Sequence, residues 1–313
     1  MSQAMIVVEN LYKAYGETQA VQGVSFQVAR GEVFGLLGPN GAGKTTTIGI
    51  MSGLLPADRG RVLVDGDDLA QDPITVKRRV GIVPQELALY PTLSGRDNVR
   101  FFGQIYGLRG RWLRERTAEV LELVGLTDRA NDAVQTYSGG MKRRLNIAAG
   151  LVHAPDVLFL DEPTVGVDPQ SRNAIFEGVQ KLAQDGMTIV YTTHYMEEAQ
   201  HLCHRVAILD EGRVVALDTP EALVHSMGAG LLVVEVPSEE IEAVRACMER
   251  HPVVMDVERR DGKLQVRVHH TQEGLAALLS ALGEIGGTVR SLGVLEPNLE
   301  SVFLHLTGKQ LRD

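Results

Sequence analysis

The nine residues Gly38-Pro39-Asn40-Gly41-Ala42-Gly43-Lys44-Thr45-Thr46 constrain this chain more than any other stretch. They fit the pattern G-x-x-x-x-G-K-[ST]. Val33, Phe34, Leu36 and Leu37 form an apolar run that predicts a short strand over 32–37. Thr46 to Ser52 predicts the first turns of a helix, with Ile48 and Met51 on one side. Strand, glycine loop and helix in that order aim a set of backbone N–H groups at one point. Glycines let the loop turn tightly and let the backbone approach an anion with no Cβ in the way. The helix N-terminus adds unpaired donors and the positive end of its dipole. Within the pattern, Gly38 to Thr46 cradle phosphates, Lys44 reaches the β- and γ-phosphates, and the Thr45 hydroxyl ligates Mg²⁺. Alone, the motif specifies a phosphate-loop nucleotide-binding protein and no particular kind.

The chain has 313 residues, enough for about two domains. Its formal net charge is -9, which argues against a general nucleic-acid binder with a basic face. The two cysteines, Cys203 and Cys247, imply no disulfide framework and suit a reducing cytosol. Met1 to Glu9 lacks a signal-peptide pattern. No uncharged run approaches the ~18 residues that read as a membrane span. The expectation is a cytoplasmic chain that meets a membrane only through a partner.

Further candidates fall at the ends of predicted strands. Tyr15 ends a β-like run and either stacks on a purine or is an ordinary strand aromatic. Val80 to Val83 reads as a strand with Gln85 just past it, where open α/β sheets bind ligands; a solvent-exposed amide is the other reading. Thr92 to Val124 reads as mostly helical, with Ser94 and Thr92 as cap candidates. Ser138-Gly139-Gly140 stands at the start of a helix running to about His153. There it is either a second anion site or simply a cap. Val157 to Leu160 reads as a buried strand ending in Asp161 and Glu162. Asp161 suits a Mg²⁺ shell, and Glu162 suits a base that orients or deprotonates water. Pro163 to Pro169 is a turn-rich loop containing Asp168. Met187 to Thr192 reads as a strand leading to His194, a hydrogen-bond donor suited to a γ-phosphate.

In this order the motifs resemble the nucleotide-binding domain of the ATP-binding cassette (ABC) family across roughly residues 4–226. The resemblance rests on Tyr15, the Walker A loop Gly38 to Thr45, Gln85, Tyr137-Ser138-Gly139-Gly140-Met141, Val157 to Glu162, Val165 to Asp168, and His194. The five-residue signature departs from the commonest form, with Tyr137 for Leu and Met141 for Gln. Ser138, Gly139 and Gly140 remain.

The resemblance implies an α/β phosphate-loop ATPase fold: a mixed sheet core with a helical subdomain over about 86–152. It implies ATP and Mg²⁺, and a head-to-tail dimer, expected to be of two copies of this chain. In that dimer each ATP lies on one copy's Walker A loop and faces Ser138 and Gly140 of the other. Tyr15 then stacks on adenine, Thr45, Gln85 and Asp161 surround Mg²⁺, Glu162 activates water, and Lys44 and His194 support the γ-phosphate. The helical subdomain contacts a separate transmembrane permease subunit at the inner face of the membrane, and no nucleic-acid partner is expected.

Residues 227–313 predict an accessory domain. Met227 to Gly230 reads as a hinge, Asp261-Gly262 as a hairpin turn, and the order β-α-β-β-α-β as a ferredoxin-like α+β unit. A final helix follows Pro297, capped by Asn298 and ending before Gly308. The last stretch, Glu296 to Gly308, resembles the tail of cassette subunits in drug-resistance-type exporters. The leading expectation is therefore the ATPase subunit of a multi-subunit exporter. The alternative is a soluble ABC ATPase acting on a macromolecular partner such as ribosomes or DNA. It is disfavoured by the single cassette and the acidic charge. A non-catalytic ATP-binding module is disfavoured by Lys44, Asp161, Glu162 and His194 together.

Overall fold

The computed structural model describes residues 4–226, 230–260, 262–295 and 298–307. The chain clusters into two compact units that divide after Thr219.

The first unit opens with the hairpin β1 (Ala4–Tyr15) and β2 (Thr18–Ala29), followed by β3 (Val33–Leu37) and α1 (Lys44–Met51). Then come β4 (Arg59–Val64), β5 (Asp67–Asp68), α2 (Pro73–Arg79) and β6 (Val80–Val83). The helical stretch comprises α3 (Gly95–Ile105), α4 (Gly110–Leu123) and α5 (Gly139–Leu151). The predicted run of helix over 92–124 is two helices, broken at Gly107, whose φ of 86° leaves the helical region. Ser94 caps α3 by accepting from the Asp97 amide at 3.0 Å. The unit finishes with β7 (Val157–Asp161), α6 (Pro169–Gln184), β8 (Thr188–Thr193), α7 (Met196–Leu202), β9 (Arg205–Asp210) and β10 (Arg213–Asp218).

Two sheets organise this unit. One is antiparallel, in the order β2-β1-β4-β5; the other has six strands in the order β10-β9-β3-β8-β7-β6. β9, β3, β8, β7 and β6 run parallel, and β10 is antiparallel at the edge. Strands β3, β7 and β8 are buried along their whole length. That burial explains their uninterrupted apolar runs, because helices and a second sheet leave neither face to water. Phe26 stacks on Phe34 at 4.9 Å where the sheets meet. Ile6, Leu11, Val28, Phe34 and Phe159 join the same core, each contributing about 1.5–3 kcal/mol by leaving water.

The parallel register fixes where function can sit. Leu37 pairs with Thr193, Asp161 with Thr192, and Val83 with Leu160. The carboxyl ends of β3, β8, β7 and β6 therefore line up. Whatever follows each strand emerges on one edge, the usual ligand-binding edge of open α/β sheets.

The second unit contains α8 (Pro220–Ser226), β11 (Gly230–Glu235), α9 (Ile241–Met248), β12 (Val254–Arg260), β13 (Lys263–Val268), α10 (Thr271–Ile285), β14 (Ser291–Leu295) and α11 (Leu299–Thr307). Its sheet is antiparallel in the order β12-β13-β11-β14, the arrangement expected of a ferredoxin-like unit. Leu232, Val234, Leu264 and Val266 alternate with outward residues and meet Val244, Met248, Leu278 and Leu282 in one core. Asn298 caps α11 through the Ser301 amide at 2.9 Å. α8 groups with this unit and packs on α11, one helix before the boundary expected at 226. The expected hinge residues 227–229, Asp261 of the hairpin turn, Pro297 and Gly308 lie outside the described residues.

Candidate functional site

The loop after β3 wraps the start of α1. Gly38, Gly41 and Gly43 have φ of 149°, 82° and 100°. Gly43 has two reasons to be glycine: its left-handed backbone, and an added Cβ that would collide with the Ala20 carbonyl. Lys44 folds back over the loop and donates to the Gly38 and Pro39 carbonyls at 2.7 and 3.1 Å. Its ammonium also lies 3.2 Å from Glu162 Oε1.

The neighbouring strand ends supply the rest. Glu162, just past β7, is buried and has a φ of 46°. A non-glycine residue held there costs about 1–3 kcal/mol, so its surroundings must over-determine it. Gln85 Nε2 donates to Glu162 Oε2 at 3.5 Å. His194 Nδ1 approaches the same oxygen to 3.2 Å without hydrogen-bond alignment. Asp161 accepts from Thr192 Oγ1 at 2.7 Å and from Thr45 Oγ1 at 3.4 Å. Lys44, Thr45, Gln85, Asp161, Glu162 and His194, far apart in sequence, thus form one cluster.

A cleft of about 580 Å³ opens over this cluster. Tyr15, Asn40, Gly41, Gly43, Lys44, Thr45, Thr46, Gln85 and Glu162 line it, joined by Thr18, Gln19, Ala20, Gln22 and Glu211. Tyr15 is half exposed at the hairpin end. Gly38 and Pro39 reach the site through their carbonyls on Lys44, and Ala42 is buried behind the loop. The lining combines a glycine loop, one ammonium, an aromatic ring and the carboxylates of Glu162 and Glu211. That is a site for a polyphosphate joined to a flat ring.

Ser138, Gly139, Gly140 and Asp168 are not among the cleft's lining residues. They make a second cluster. Ser138 caps α5, accepting from the Met141 amide at 3.2 Å. Asp168 caps α6, accepting from the Ser171 amide at 2.9 Å, which holds its carboxyl below the usual carboxylate range. Gly140 lies so close to Ser171 that a Cβ would overlap its side chain. Tyr137 is buried and donates to the Arg129 carbonyl at 2.6 Å, so its departure from leucine is an anchoring hydrogen bond within the helical stretch.

Two buried polar groups escape a reading of strand ends. Arg143 donates to five backbone carbonyls around the site. Glu198 accepts from Thr164, Tyr191 and Thr193 at 2.7, 2.9 and 2.9 Å. In sequence, Arg143 stands in the basic run Lys142-Arg143-Arg144 with nothing to set it apart from its neighbours. Helical spacing does place Arg143 with Gly140, Ile147 and Leu151, and that is the signal that was available. Glu198 carries none, since Glu197 beside it is equally acidic.

The geometry agrees with three comparisons. A family profile described as ABC transporter matches residues 21–165. The chain is 46% identical over 311 residues to a linearmycin resistance ATP-binding protein of Bacillus subtilis (strain 168), covering 99% of this chain and 100% of that one. It is 41% identical over 310 residues to Nod factor export ATP-binding protein I of Cupriavidus metallidurans, covering 99% of each. Among solved structures, a dimeric ATP-binding cassette in a post-hydrolysis state bound to ADP and Pi superposes with a TM-score of 0.63 at 29% identity. That match covers 69% of this chain and 98% of the other.

Proposed function

The chain belongs to the ABC transporter family, and on that premise we propose that it is the ATP-binding and ATP-hydrolysing subunit of a multi-subunit exporter. Its relatives carry drug-resistance and export functions in their names. No helix among the described residues is long and apolar enough to cross a membrane. In this reading a separate transmembrane permease carries the cargo, and this chain docks on it from the cytoplasm. ATP draws two copies together, and hydrolysis separates them.

The observation that carries this reading is the convergence of Lys44, Gln85, Glu162 and His194 at the mouth of the phosphate loop. Tyr15 takes the adenine face, and the loop amides with Lys44 take the phosphates. Thr45, Asp161 and Gln85 offer hard oxygen donors near the loop. Mg²⁺ accepts such a partial set because substrate phosphates and water complete its shell. When bound, it neutralises phosphate charge. Glu162 orients or deprotonates the attacking water, and His194 steadies the γ-phosphate as a donor. Most of the rate gain is placement and charge neutralisation. The second cluster, Ser138 to Gly140 with Asp168, faces the ATP of the other copy. The cleft on one chain lacks that set of donors, so each chain supplies what its partner's site needs.

ATP hydrolysis by the chain co-purified with its membrane subunit tests the reading. Turnover that disappears in Lys44→Ala supports it. Absence of turnover in the intact complex overturns it.

A further inference from the structure

Arg143 is the fifth residue of α5 and is 3% exposed. Its guanidinium has five N–H donors, and all five are used. Nε donates to Pro163 O at 2.8 Å. Nη1 donates to Pro84 O and Gln85 O at 2.7 and 2.8 Å. Nη2 donates to Asp161 O and Glu162 O at 2.8 and 2.6 Å. Every acceptor is a backbone carbonyl; among the described residues no carboxylate pairs with it. These carbonyls belong to the segment after β6, the end of β7 and the turn beyond it. Those segments carry Gln85 and Glu162 into the cleft and Asp161 into the cluster beside it.

The Asp161 and Glu162 charges offset part of the cost of burying this cation, but none of its hydrogen bonds reaches a carboxylate, and an apolar side chain of similar volume is usually cheaper. What the guanidinium adds is geometry: a planar fork that fixes several acceptors at once. Glu162 is where this matters most. Its left-handed backbone is held from two sides, by Arg143 Nη2 on its carbonyl and by Thr192 Oγ1 accepting from its amide at 2.9 Å. At the other end, Arg143 springs from the helix that Ser138 caps, little more than one turn from the Ser138-Gly139-Gly140 start. One side chain therefore joins the turn that addresses the partner's ATP to the carboxylate that acts on this chain's own ATP.

We propose that Arg143 is a positioning residue that couples the two ATP sites of the dimer. It sets the orientation of Glu162 according to the engagement of its own chain's serine-glycine turn with the other copy's nucleotide. The proposal rests on the function proposed above. Loss of the fork leaves ATP binding and dimer closure intact, but lets Glu162 relax from its strained backbone. Hydrolysis then slows, and each site works independently of the other.

The test compares wild type, Arg143→Lys, Arg143→Gln and Glu162→Gln in the complex with the membrane subunit, reading kcat, KM for ATP, the Hill coefficient and Tm. Lys and Gln keep donors but cannot span three segments. The expected result is a kcat lowered about 10–100-fold, the scale of a small misplacement of a reacting group. KM for ATP stays within about 3-fold, and the Hill coefficient falls to unity. Arg143→Gln added to Glu162→Gln still forms the ATP-bound dimer. Folded variants with wild-type kcat and Hill coefficient and only a lower Tm overturn the proposal, because Arg143 then merely satisfies carbonyls. Failure of both Arg143 variants to fold also assigns it that purely structural role and overturns it. A wild-type complex with no hydrolysis to lose in Glu162→Gln overturns the underlying function itself.

Discussion

The Lys44 ammonium lies 3.2 Å from Glu162 Oε1, and the two side chains are only 4% and 6% exposed. A triphosphate entering the loop competes with Glu162 for that ammonium. Under the function proposed above, binding would release the carboxylate toward water and couple occupancy to activation. Glu162→Gln removes the base but keeps the shape. It should retain ATP binding, while hydrolysis falls about 10²–10⁴-fold, the contribution of a general base. Lys44→Ala strands the carboxylate and should lose ATP binding. Filter binding and phosphate release separate the two outcomes.

Gly140→Ala should cripple the second cluster without touching the first. The added methyl overlaps Ser171, whose Cβ and hydroxyl both occupy that space. Such overpacking typically costs about 1–3 kcal/mol. Urea unfolding should report that loss. Isolated-chain ATP affinity, which depends on the phosphate loop, should remain. Ser171→Gly in the same chain should recover the stability.

Glu198 holds three hydroxyls from two places: Thr164 beyond Glu162, and Tyr191 and Thr193 on β8 just before His194. Burial, and then the Glu198 charge, push the Tyr191 phenol well above its usual pKa, so it stays a donor. Glu198→Ala leaves these donors unpaired, each costing about 1–3 kcal/mol. Glu198→Gln keeps acceptors at one oxygen and should lose less. Denaturant midpoints should rank wild type above Glu198→Gln above Glu198→Ala.

His153 stacks flat on Tyr106, with ring centroids 3.6 Å apart, and its Nε2 lies 3.0 Å from the Val80 carbonyl. Burial pushes its pKa below the ordinary imidazole value; the Val80 carbonyl opposes this and Arg116 reinforces it. The unfolded chain therefore takes the proton first. Stability from neutral His153 is fully present above about pH 6.5 and is lost as pH falls through the folded pKa. His153→Phe keeps the stack and cannot titrate. Its Tm deficit relative to wild type should shrink between about pH 7.5 and about pH 5.5.

Much of this was legible because parallel strands buried on both faces leave continuous apolar runs. Val33 to Leu37, Val80 to Val83, Val157 to Leu160 and the stretch before His194 each announce a strand end. The parallel register then makes every strand end a neighbour. Element limits were less legible. The break between α3 and α4 hangs on Gly107 and the two residues after it. The last strand starts only at Ser291, because α10 ends on the left-handed Gly286 and the residues after it are irregular. Arg143, Glu198 and the φ of Glu162 were not read. Arg143 acts on carbonyls 18 or more residues away, Glu198 ties Thr164 to the nearby end of β8, and the φ of Glu162 is backbone strain that side-chain identity does not encode.

The mass of Glu162→Gln in solution, measured by light scattering with and without MgATP, tests the central claim most directly. The account predicts a 34.1 kDa monomer that doubles in mass when MgATP is added, and that fails to do so when Ser138→Arg is introduced. A mass unchanged by saturating MgATP, or a doubling indifferent to Ser138→Arg, would contradict it.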